Sequence, residues 1–211
     1  VPPASIQDLR LLLRNKFPQA HAARLDEPPP VETRLRFSDP ATFPAGALSE
    51  IVPEGSAPVL GLIVSEILGA PEKAADFPEI LLIDADHFDP ASYPPEACSR
   101  LFWVRCHQAL TLLKAADLLL RDGNISFLLL DLTGFPARDL RSLPASSWWR
   151  LKQLAGNTAA RVLILSSVPI IPCADLRLTL STDLTLDAFE LPRADLIREI
   201  RSHTRRLRRA T

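Results

Sequence analysis

The segment Ile125-Ser126-Phe127-Leu128-Leu129-Leu130 closes on Asp131 and carries no polar alternation over its second half. It reads as a strand buried on both faces, the kind that sits inside a parallel sheet and delivers its last acid to the carboxyl edge. Ile80-Leu81-Leu82-Ile83, ending at Asp84, repeats the pattern. Between the two, Gln108 to Arg121 places apolar residues at 109, 112, 113, 116, 119 and 120, one face of a helix, with Gly123 as its stop. Buried strands alternating with amphipathic helices require crossover connections. They predict an α/β fold in which a mostly parallel sheet is flanked by helices on both faces, a three-layer core.

The same periodicities extend the plan. Ala47 to Val52, Leu101 to Val104, Arg161 to Ser166 and Leu176 to Thr182 read as strands, the last alternating and near an edge. Pro58 to Leu68 reads as a helix with proline in its first turn, and Trp148, Trp149, Leu151 and Leu154 mark another. Upstream, Ser5 to Phe17 carries Ile6, Leu9, Leu12, Leu13 and Phe17 at helical spacing, a docking helix. His21 to Pro44 is rich in proline and charge and reads as an extended connector. The expected organisation is a helix and linker over 1–45, a core over 46–190 and a basic amphipathic helix over 191–211.

With 211 residues, 47% of them apolar, the chain suits one well-buried domain. A net charge of −1 argues against a protein that coats nucleic acid over its whole surface. Cys98, Cys106 and Cys173 form no C-x-x-C pair and predict buried, reduced thiols. No run is long enough for a membrane span, and the start at Val1 lacks the layout of a signal peptide, so the expected location is the cytoplasm, without membrane contact.

Residues Pro53-Glu54-Gly55-Ser56-Ala57-Pro58-Val59 follow an apolar strand and precede a helix, the position of a phosphate-binding loop. Such a loop needs glycine turns that converge N–H groups on a phosphate, a lysine for the β and γ oxygens and a hydroxyl for magnesium. Pro58 and Val59 occupy the last two places and supply neither. The loop is vestigial, and no cofactor is expected.

Over roughly residues 46 to 182 the chain resembles the RecA family. Ile83-Asp84-Ala85-Asp86-His87-Phe88-Asp89-Pro90 is close to the RecA pattern I-D-A-E-H-x-x-D-P, with Asp86 at the place of the water-activating glutamate. Among RecA relatives without the loop, the chain resembles ImuA and, more distantly, the SulA cell-division inhibitors. The first resemblance implies a non-catalytic accessory protein of damage-induced mutagenesis and translesion synthesis. Its partners would be an ImuB-like polymerase-family protein, RecA and an error-prone replicative-type polymerase. The second implies a division inhibitor that binds the FtsZ ring protein. A third reading keeps weak ATP hydrolysis, with Asp86 and Asp131 as surviving acids.

Other side chains carry two readings each. Asp84, Asp86, His87 and Asp89 suit a divalent metal or an inherited strand-end turn begun by Asp89-Pro90, and the turn is favoured. Asp131 suits magnesium or the capping of loop N–H groups, and capping is favoured. Ser56, Ser166 and Ser167 lie near strand ends, but none has the G-x-S-x-G setting of a nucleophile. Trp148 and Trp149 project about 100° apart on a helix, so one is expected in the core and one at the periphery as a partner-binding aromatic. Arg198, Arg201, Arg205, Arg206, Arg208 and Arg209 occupy the polar positions around Leu196, Ile197, Ile200, Thr204 and Leu207. That helix would engage an acidic protein groove or, weakly, DNA phosphates, or face only water.

Overall fold

The computed structural model describes residues 31–32, 36–37, 39–54, 58–69, 79–181, 186–198 and 200–206. The chain divides into two compact units, Val1–Val31 and Glu32–Thr211. The predicted helix with Leu9, Leu12 and Leu13 lies outside the described residues, as do Gly55, Ser56, Ala57, Arg208 and Arg209.

A two-residue strand, β1 (Val31–Glu32), straddles the boundary between the units. The second unit then runs β2 (Ala47–Pro53), α1 (Pro58–Leu68), β3 (Ile80–Asp84), α2 (Pro95–Cys98), β4 (Leu101–Arg105), α3 (Ala109–Asp122) and β5 (Phe127–Asp131). It continues through α4 (Ala137–Arg141), α5 (Ala145–Thr158), β6 (Arg161–Leu165), β7 (Leu176–Ser181), α6 (Arg193–Arg198) and β8 (Arg201–Arg206). Within this unit the strands lie in the order β8-β7-β2-β6-β5-β3-β4. The six from β7 to β4 pair in parallel, and β8 pairs antiparallel with β7. The α/β architecture with helices on both faces of a parallel sheet follows the sequence expectation.

The sheet has two apolar faces because its central strands have no polar one. Leu81, Ile83, Leu128, Leu130, Val162 and Ile164 pack beneath α3 and α5, with Trp148 in the same cluster. Ile80, Leu82, Phe127, Leu129, Leu163 and Leu165 pack beneath α1, which contributes Ile63 and Ile67. Gly123, at φ 80°, ends α3 in the left-handed region that favours glycine.

Two expectations are corrected. The stretch His21 to Pro44 is not solely a connector, because Phe37 and Phe43 are buried core residues and Phe43 meets Phe127 edge-on at 6.0 Å. Burial of one phenylalanine is worth about 1.5–3 kcal/mol, enough to draw even a proline-rich segment onto the sheet. The C-terminal basic helix stops at Arg198, and residues 201–206 form β8. The open edge of β7 offers six residues of ladder hydrogen bonds, which outweigh the helical periodicity of that segment. β7, flanked by β2 and β8, lies one strand in from the end of this unit's strand order, near the edge as its alternating pattern predicts.

Candidate functional site

Two strand ends and one helix frame a cleft of about 380 Å³. It lies against α1, through Leu60 and Val64, and against the segment after β3, through His87, Phe88 and Tyr93. Asp131 and Thr133, at the end of β5, complete it. Phe88 and Tyr93 stack with ring centroids 5.0 Å apart, and Trp103 meets Phe88 edge-on.

Asp84 shapes the rim. Its carboxylate is buried, and Oδ2 accepts hydrogen bonds from the backbone N–H of His87 and of Phe88, both at 2.8 Å. Oδ1 accepts from Trp103 Nε1 at 2.7 Å. Three N–H donors satisfy the buried acid and fix the turn that carries His87 into the cleft. Gly134 supplies the seat for the imidazole: a Cβ there would stand 1.4 Å from His87 Nε2, so any larger residue displaces the ring.

The three acids and the histidine of the Asp84-to-Asp89 motif therefore separate. Asp86 takes φ 70°, is not among the residues lining the cleft and pairs with Arg105 at 3.4 Å, both side chains well exposed. Arg105 also rests over the Trp103 ring, 4.9 Å from its centroid. Asp89 caps the short turn Pro90–Ser92, accepting from Ala91 N and Ser92 Oγ. This is the turn role favoured from sequence. Among the described residues no group of three or more His, Cys, Asp or Glu side chains is arranged to hold a metal.

Asp131 Oδ1 accepts from Thr133 N at 2.9 Å and Thr133 Oγ1 at 2.6 Å, the loop-capping role. Burial pushes its carboxyl pKa up, with the Thr133 hydrogen bonds and the nearby His87 pulling down and Asp84 adding to the rise. Of the segment expected from sequence to be a vestigial loop, Pro53 ends β2 in the interior and Glu54 is exposed, while Pro58 and Val59 open α1.

Sequence reasoning missed a second polar centre. Glu50, fully buried in β2, pairs with Arg177 on β7, its register partner, through Oε2 and Nε at 2.5 Å. Oε1 accepts from Ile170 N and Ile171 N, and from Ser166 Oγ at 3.3 Å, while Arg177 donates to Ile171 O at 2.7 Å. Ser166, weighed above as a nucleophile, is buried within this network. A glutamate inside a mostly apolar strand was the available signal, since a buried charge requires a partner. Close by, Lys152 pairs with Asp175 at 2.6 Å and donates to Cys173 O.

The tryptophans divide as the helical wheel requires. Trp148 is core and leaves the set of partner-binding candidates, whereas Trp149 is 56% exposed with Lys152 Nζ 6.0 Å from its ring centroid. Arg198, Arg201, Arg205 and Arg206 lie on the last turn of α6 and on β8. Cys106 and Cys173 are buried free thiols with raised pKa values, burial being the leading cause for both; Cys98 is free and half-buried. No described helix is long and apolar enough to cross a membrane. No protein-family model and no curated protein matches this sequence.

Proposed function

We propose that this chain is a non-catalytic RecA-like accessory protein of SOS-induced mutagenesis and translesion synthesis, working in the cytoplasm by contacts with an ImuB-like protein, RecA and an error-prone polymerase. One observation supports the non-catalytic half of this reading: Asp86, the residue matching the water-activating acid, is not among the residues that line the cleft and pairs with Arg105. An acid that must activate water over a phosphate has to face the phosphate site. Asp131, the other inherited acid, is committed to Thr133, and α1 opens with Pro58-Val59 where the lysine and hydroxyl would stand. What persists is the sheet and its helical layers, a shape suited to docking on RecA-type surfaces. Trp149 is one exposed aromatic available to such contacts, and β8 takes the place of the arginine helix as the basic element, including any weak contact with DNA.

Calorimetry with ATP and magnesium tests the first half, with no saturable heat expected at micromolar protein. Capture from cells after DNA damage tests the second. An ImuB-like protein and a replicative-type polymerase are the expected companions, and recovery of FtsZ instead would replace this reading with the division-inhibitor one.

A further inference from the structure

The charges along the cleft are those of a site for a cation. Among its described lining residues are Asp89 and Asp131, and neither a lysine nor an arginine. Asp89 has both oxygens engaged in its own turn. Asp131 spends Oδ1 on Thr133, and Oδ2 accepts no hydrogen bond among the described residues. Burial disfavours its ionised form, and within the cleft only His87 offers a compensating positive charge. Leu60, Leu62, Val64 and Leu82 build an apolar wall leading past the stacked Phe88 and Tyr93. The complementary ligand has an alkyl stem and a planar cationic head.

We propose that the cleft receives an arginine side chain of a protein partner, its guanidinium on Asp131 Oδ2 and its methylenes along the leucine wall. The inference rests on the scaffold reading above, because a triphosphate seated in the same cleft excludes it. Arginine fits better than lysine: its rigid fork donates to a carboxylate in plane, and its weakly hydrated head stacks on aromatic faces. Its stem covers apolar surface that an inorganic cation leaves wet.

The test is an amide NMR titration of the full chain with N-acetyl-arginine amide, its neutral isostere N-acetyl-citrulline amide, and magnesium pyrophosphate. Arginine amide is expected to shift Phe88, Thr133 and Gly134, with citrulline binding at least about tenfold more weakly, the worth of one charge-assisted hydrogen bond. Asp131→Asn is expected to weaken arginine by a similar factor. Thr133→Val, which leaves only the backbone N–H on Oδ1, is expected to tighten it and decides the matter should the first variant fold poorly. No arginine response, an equal response to citrulline, or shifts indifferent to both substitutions overturns the proposal and leaves the scaffold reading standing. Pyrophosphate displacing arginine from these amides overturns both.

Discussion

Glu50 and Asp84 are buried acids on strands of one sheet, held in opposite ways. Glu50 lies inside β2, meets the guanidinium of its register partner Arg177 and takes two loop N–H groups besides. Asp84 ends β3, accepts three N–H groups and forms no ion pair among the described residues. The first arrangement fastens the 166–171 segment to the sheet and leaves no acceptor free to meet a ligand. The second fastens a turn whose next side chain, His87, is delivered into open space. Burial alone therefore does not mark a functional acid; what matters is whether its partners close the region or aim something outward.

This contrast can be broken by mutation. Glu50→Ala strands Arg177 without its counter-charge and is expected to cost about 3–5 kcal/mol in urea unfolding. A paired Glu50→Leu, Arg177→Met replacement should recover most of that loss, because a well-packed apolar pair avoids the desolvation penalty. A cost below about 1 kcal/mol for the single change would dissolve the distinction. Asp84→Ala is expected to cost about 2–3 kcal/mol by orphaning its donors, and to shift Trp103 fluorescence and the cleft amides, which the Glu50 change leaves alone. Gly134→Ala should cost about 1–3 kcal/mol as the His87 ring is evicted, read from the imidazole NMR signals.

Asp131→Asn sharpens the comparison through pH. The raised native pKa means that the folded state holds its proton where the unfolded chain has lost it. Stability from this residue is present in acid and falls as pH rises from the ordinary aspartate range through the native pKa. The Asn variant should therefore gain on the parent across that window and hold a constant advantage above it, as measured by unfolding at stepped pH. Smallest of all, Asp86→Gly relieves a left-handed backbone and loses only an exposed ion pair; a net gain of roughly 0.5 kcal/mol is expected by thermal unfolding.

The parallel core was legible because strands such as Phe127–Asp131 are apolar on both faces, a local property. The turn role of Asp89 and the loop-capping role of Asp131 were legible for the same reason, since each bonds groups within three residues. What escaped depends on neighbours far along the chain. Glu50 and Arg177 stand 127 residues apart and meet only through register. Residues 201–206 have a helical pattern that holds until β7 offers an unpaired edge, and Phe43 finds the Phe127 ring from inside a stretch whose composition suggests a spacer. The left-handed backbone at Asp86 has no mark in the sequence.

The placement of β2 also fixes an order of events during synthesis. This strand emerges before β3, β4 and β5, yet both of its sheet neighbours, β6 and β7, come from residues 161–181. On the ribosome, Leu48 and Ile51 have neither flanking strand until β6 and β7 have followed, so the nascent chain carries a bare apolar ribbon while the strands between them are made. Such late-closing, non-local pairing slows folding and invites self-association. A truncation before Arg161 should therefore yield an aggregating product that demands chaperone holding, rather than a smaller folded domain.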